Sequence, residues 1–131
     1  MYEYMCIFKS VYDGDTAVVD IDLGFDIWLR NQHVRIDGVD TPELKASDVQ
    51  QKMLADEARS FLLVLLSTAP AIRLVCNKYN PTEKYGRILA DLWVPRKNAQ
   101  GTRYDFDLPW LSVKTELIAY GRGRVYDGGP R

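Results

Sequence analysis

A chain of 131 residues with 47% hydrophobic and 27% charged residues is long enough for one domain with a core of its own. Its net charge of −1 does not announce a nucleic-acid binder. The longest apolar run, residues 61–66, is far short of the roughly 20 residues a membrane span needs, and residues 1–4 lack the positive start of a signal peptide, so a cytoplasmic protein with no membrane partner is expected.

The N-terminal half reads as β. Residues 5–12 and 16–23 are two predicted strands around Asp13-Gly14-Asp15, and Asp-Gly is a strong turn signal. In the second strand Ala17, Val19, Ile21 and Leu23 alternate with Val18, Asp20 and Asp22, the period of two expected of a half-buried strand. Gly24 interrupts it, and a third strand is predicted over residues 27–36. Gly38 and Pro42 keep the next segment irregular, and Thr41 is pushed towards extended backbone by the proline that follows it. A helix should begin near Ser47 or Asp48, either of which can cap it. Val49, Met53, Leu54, Ala58, Phe61, Leu62 and Leu65 share one face at helical spacing and are expected to be core, with Pro70 past the helix end.

Ile72, Leu74 and Cys76 mark a fourth strand, residues 77–84 a polar loop, and residues 87–94 a fifth strand. Residues 95–107 read as a flexible excursion or a long hairpin. Residues 111–120 form a second predicted helix stopped by Gly121, and the tail from Arg122 reads as irregular. Cys6 and Cys76 sit in predicted strands at no metal or disulfide-framework spacing, so both should be buried and reduced. Three strands, helix, two strands, helix suit an α+β, mainly β chain: a small Greek-key barrel with helices packed outside.

Charge is unevenly divided along the chain. Residues 1–76 hold seven basic and twelve acidic groups, residues 77–131 ten and six, a pattern that can set a basic surface beside an acidic site. Three short segments place charge where a fold alone does not ask for it: Asp13-Gly14-Asp15-Thr16, the stretch from Arg35 through Asp37 and Asp40 to Glu43, and Lys84-Tyr85-Gly86-Arg87. Oxygen ligands without His or Cys clusters suit a hard cation such as Ca2+ or Mg2+. Asp15 and Asp40 can each supply a carboxylate, and the Thr41 carbonyl a third oxygen. Arg35 and Arg87 suit a phosphodiester, because a guanidinium meets phosphate oxygens in pairs and stays charged. Glu43 is then left to activate water as a general base. Singly, each segment has an ordinary structural explanation as a hairpin turn, a helix approach or a turn into a strand. The combination points to a phosphodiester hydrolase.

The matching pieces are Asp13-Gly14-Asp15-Thr16, Val34-Arg35-Ile36 leading to Val39-Asp40-Thr41-Pro42-Glu43, Thr82-Glu83-Lys84-Tyr85-Gly86-Arg87 and, more loosely, Glu116-Leu117-Ile118 with Gly121. Together they resemble the staphylococcal nuclease family over residues 5–126. The resemblance implies an OB-fold: a five-stranded Greek-key barrel with two to three helices outside, followed by an irregular tail over residues 127–131. It also implies Ca2+-dependent hydrolysis of DNA and/or RNA, single-stranded or locally open, at the 5′ P–O bond to leave 3′-phosphate ends. A monomer is expected. Carried over, Asp15, Asp40 and Thr41 become the expected metal ligands, Arg35 and Arg87 the phosphate-binding arginines, and Glu43 the general base. Asp13 and Thr16 are expected to shape the turn around the ligands; Lys84, Tyr85 and Tyr126 are expected to contact bound nucleotide. Asp37 should be a solvent-facing strand end, His33 should have no catalytic role, and Trp28, Trp93 and Trp110 should be packing residues.

The chain departs from the family pattern in three places. Few residues separate Glu43 from the first helix, where the better-known member carries a longer basic loop. Residues 95–108 look longer than the family's hairpin, and no basic C-terminal helix is expected after Val125-Tyr126. Phosphate contacts supply most non-specific affinity, so weaker binding of long DNA is expected. The ending Tyr126-Asp127-Gly128-Gly129 resembles small phage- and prophage-borne members. The chief rival reading is a catalytically weak OB-fold module that binds nucleic acid. Such modules lose the metal carboxylates, the general base or the arginines, and all five positions are intact here.

Overall fold

A computed structural model describes residues 2–44, 47–76 and 86–126. In chain order its elements are β1 (Tyr2–Asp13), β2 (Thr16–Asp22), β3 (Trp28–Ile36), β4 (Val39–Asp40), α1 (Val49–Ser67), β5 (Ile72–Cys76), β6 (Ile88–Val94), β7 (Arg96–Lys97), β8 (Tyr104–Asp105), β9 (Leu111–Ser112), α2 (Val113–Ala119) and β10 (Arg124–Val125). β1 pairs antiparallel with β2 and β5, β2 with β3, and β5 with β6. The barrel closes where β3 and β6 run parallel, with Val34 opposite Ile88, Arg35 opposite Leu89 and Ile36 opposite Ala90. These five strands form the closed barrel of an OB-fold, to which β9 adds a short edge beside β6. The predicted loop over residues 77–84 lies outside the described residues, as does the tail over 127–131.

Alternation along the strands builds the core. Val11, Ala17, Val19, Ile21, Val34, Ile36, Leu74, Leu92 and Val94 point inward, and Leu62 and Leu66 of α1 with Val113 and Leu117 of α2 close the barrel from outside. Cys6 and Cys76 belong to this core and are unpaired. Burial pushes the Cys6 thiol up to about 12 and raises that of Cys76 as well.

α1 begins at Asp48, whose carboxylate accepts from the Gln50 amide at 3.0 Å, satisfying one of the first-turn donors that a helix leaves open. Its buried face is Ala55, Ala58, Leu62 and Leu66, with Phe61 and Leu65 partly buried against the core. This corrects the expected stripe: Val49, Met53 and Leu54 are 72%, 60% and 40% exposed. The buried face of the helix is therefore rotated and shifted towards its C-terminal turns, and these three side chains stay open among the described residues. The second helix is also shorter than expected, because Leu111 and Ser112 pair with β6 as a strand. Ser112 then caps α2 through the Thr115 amide at 3.2 Å. Asp91 of β6 supports the same cap, accepting from the Ser112 hydroxyl and the Lys114 amide, while burial raises its carboxyl above the usual range. Residues 95–107 hold the β7–β8 hairpin, and the tail read as irregular contributes β10, with Arg124 opposite Asp40 and Val125 opposite Val39.

One buried carboxylate shapes the barrel wall. β3 carries a bulge opposite Val19 and Ile21, where Asn31 stands at φ 54. The bulged Asn31 amide is satisfied by Asp20, which accepts from it at 2.8 Å and from Arg30 Nη1 at 3.0 Å. The Asn31 amide is the main cause holding the Asp20 carboxyl below its ordinary range, with Arg30 and Lys9 adding to it. A depressed folded-state pKa stabilises above the ordinary value and ceases to do so as pH falls through it. Asp20→Ala should therefore lower the urea midpoint at pH 7, and its deficit against the parent protein should shrink as pH drops below about 4. A deficit that stays constant down to pH 3 would show that the carboxylate charge is not what matters.

Candidate active site

Three segments meet at one end of the barrel: the turn after β1, the end of β3 with β4, and the start of β6. The first approach depends on Gly14. A Cβ there would stand 2.7 Å from Ala58 Cβ and 2.8 Å from Thr41 Oγ1. The turn can therefore lie against both α1 and the segment after β4 only because residue 14 has no side chain. Asp13 closes the turn by accepting from the Asp15 amide at 3.1 Å, a local side-chain bond that favours turns over regular structure. Burial, and then the charge of Asp15, push the Asp13 carboxyl up to about 6.

Arg35 organises the rest. It is buried, and its Nη1 donates to the carbonyls of Ile36 at 2.7 Å and Val39 at 2.6 Å, bracing the turn through Gly38 at φ 84. Its Nη2 lies 3.7 Å from Asp15 Oδ2 and 3.7 Å from Asp40 Oδ1, so the two carboxylates face the space around one guanidinium nitrogen. Asp15 Oδ2 also accepts from the Thr41 amide at 3.2 Å. A second chain runs from β6: Arg87 Nη1 donates to Thr16 Oγ1 at 3.3 Å, and Thr16 Oγ1 donates to Asp15 Oδ1 at 3.3 Å. Tyr126 is tied to Gly38 O through its amide at 3.0 Å, with its ring centroid 5.8 Å from Arg35 Cζ.

Asp13, Asp15, Thr16, Arg35, Asp40, Thr41, Arg87 and Tyr126 are thus brought into one network. Glu43 is exposed on the segment after Pro42 and makes no hydrogen bond or ion pair among the described residues. Lys84 and Tyr85 lie outside the described residues. His33 is exposed, Asp37 is half-buried, and the three tryptophans are half-buried packing residues, Trp28 beneath Arg30 and Trp110 beneath Arg73.

Among the described residues no group of three or more His, Cys, Asp or Glu side chains could hold a metal ion. The donors at hand are the Asp15 and Asp40 carboxylates and a main-chain carbonyl at Thr41. That all-oxygen set fits a hard cation, whose remaining positions water and a ligand oxygen would fill.

Sequence reasoning missed Arg124. Its Nη2 lies 3.6 Å from Asp40 Oδ2, so Asp40 bridges Arg35 on one oxygen and Arg124 on the other. The alternation Gly121-Arg122-Gly123-Arg124 was the available signal.

A family model described as staphylococcal nuclease homologue (SNase) matches residues 33–128. The chain belongs to the staphylococcal nuclease family. A thermonuclease of Staphylococcus intermedius is 37% identical over 86 residues, covering 66% of this chain and 46% of the relative. A thermonuclease of Staphylococcus hyicus is 34% identical over 87 residues, covering 66% and 47%. The chain spans about half the length of these curated relatives. The family match begins beyond Asp13 to Thr16, and it is the barrel geometry that carries those residues onto Arg35, Thr41 and Arg87. Family membership also agrees with the five-stranded barrel and its two described helices.

Proposed function

We propose that this chain is a Ca2+-dependent nuclease that hydrolyses phosphodiester bonds of DNA or RNA at the 5′ P–O bond and leaves 3′-phosphate ends. The observation that carries this reading is the convergence of Asp15 and Asp40 on Arg35 Nη2 at 3.7 Å each, with Arg87 linked to the same cluster through Thr16. Kinship with proteins named thermonucleases supports it.

Asp15, Asp40 and the Thr41 carbonyl would hold the cation, which when bound offsets charge on the phosphoryl oxygens. Arg35 and Arg87 bind those oxygens and stabilise the charge that grows on them as the bond breaks. Arg35 is the floor of the site, since its Nη1 is already committed to two carbonyls. Thr16 orients Arg87, and Asp13 fixes the turn that presents Asp15. Glu43, on an exposed segment free to meet solvent, takes a proton from the attacking water. Lys84, Tyr85 and Tyr126 contact the nucleotide.

Single-stranded DNA and RNA should be cut in Ca2+ and left intact in chelator, and the new ends should carry 3′-phosphates. Glu43→Gln and Arg87→Ala should each lower kcat by about 10²–10⁴-fold. Cleavage that survives the chelator, or that both variants leave undiminished, overturns the reading. Strand binding without cleavage by the parent protein would instead identify a binding module.

A further inference from the structure

A cleft of about 350 Å3 opens beside the site. It shares Asp40 and Thr41 with the catalytic cluster, but among the described residues it is not lined by Asp15, Arg35 or Arg87. Its other walls include Gln51 and Leu54 of α1 and Arg122 and Arg124 from the segment after α2. That segment is pressed close to β4, since a Cβ on Gly123 would stand 2.6 Å from Val39 Cγ2. Arg124 pairs with Asp40 Oδ2 yet its side chain is 83% exposed. Arg122 donates from Nη1 to Glu57 at 2.8 Å, while its Nε is buried with no hydrogen-bond partner among the described residues.

We infer that this cleft receives the next phosphate of the same polynucleotide strand, with Arg122 and Arg124 as its guanidinium partners. The inference rests on the phosphodiester reading above and extends it to where the strand runs beyond the cut bond. Two guanidiniums in one cleft match phosphate oxygens far better than they match a neutral ligand. Leu54 supplies an apolar surface for sugar or base, and the volume is that of a small-ligand site. Asp40 makes the two places adjacent, because one of its oxygens faces Arg35 and the other Arg124.

The test compares the parent protein with Arg122→Gln and Arg124→Gln. Binding of a labelled single-stranded octanucleotide is measured in chelator across a salt series, and kcat/KM is measured in Ca2+ for the octanucleotide and for a dinucleotide. Each variant should reduce the slope of log affinity against log salt by about 0.7, the signature of one lost phosphate contact on a single strand. The ratio of octanucleotide to dinucleotide kcat/KM should fall about tenfold. Unchanged slopes with both substrates slowed equally would show that the arginines only position Asp40, and would overturn the inference while leaving the nuclease reading in place. Reduced slopes in a protein that cuts neither substrate would uphold the cleft and overturn the nuclease reading.

Discussion

Replacing Arg35 with glutamine is expected to cost about 3–5 kcal/mol of folding stability, the range for breaking one side of a buried ion pair. The reason lies in what the guanidinium does at once. It donates to the Ile36 and Val39 carbonyls and stands between the Asp15 and Asp40 carboxylates. Without it two carboxylates are left facing one another, and two carbonyls lose their donor. Phosphodiester cleavage should fall by about 10²–10³-fold as well, the usual cost of losing one donor to a transition-state oxygen. Arg35→Lys separates the two effects. A lysine restores the charge, but it is a point donor that cannot reach two carbonyls and a phosphate together. Urea unfolding should therefore show part of the stability returning, while kcat stays low. Full recovery of kcat in Arg35→Lys would mean that charge alone is required at this position.

Gly14→Ala should be nearly as damaging to the site, although it adds a single methyl group. The added carbon would lie well inside contact distance of Ala58 Cβ and Thr41 Oγ1, and overpacking of this kind costs about 1–3 kcal/mol. The turn must retreat, taking Asp15 away from the Thr41 amide. The double variant Gly14→Ala/Ala58→Gly discriminates between the two contacts. Removing the Ala58 methyl relieves the shorter one, so the double variant should be more stable than the sum of the single changes predicts. Cleavage should remain depressed, because the contact with Thr41 persists. Additive stabilities, or activity returning along with stability, would place the damage elsewhere.

Much of the barrel can be read directly from the chain. The alternation in residues 16–23 marks β2, with Ala17, Val19 and Ile21 in the core, although Asp20 on the opposite face is buried as well. α1 shows where that reasoning stops. Helical spacing identifies Val49, Met53 and Leu54 as sharing a face, but it cannot say whether anything lies opposite, and in the structure all three are exposed. The site divides in the same way. Asp15, Arg35, Asp40 and Arg87 are each ordinary for a turn or a strand end, and only their combination along the chain singles them out. Gly14 reads only as half of a turn signal, since the helix it touches is packed against it by tertiary structure. Arg124 is harder still: its pairing with Asp40 joins distant parts of the chain, and a Gly-Arg-Gly-Arg stretch reads as a loop. Nothing local in residues 30–31 announces the bulge that makes Asp20 necessary.

The parallel seam between β3 and β6 has a consequence for how the molecule comes into being. Hairpins such as β1–β2 and β2–β3 join neighbours in sequence and close quickly, whereas Val34 and Ile88 must find each other across a long loop, a slow and entropically costly step. Arg35 sits in that seam, and Arg87 immediately precedes the strand that completes it. A chain that has made only β1 to β3 holds Asp15 and Arg35; Asp40 arrives with β4, and Arg87 and the closing wall only with β6. The proposed centre is therefore complete only once the final long-range pairing of Val34, Arg35 and Ile36 with Ile88, Leu89 and Ala90 has formed.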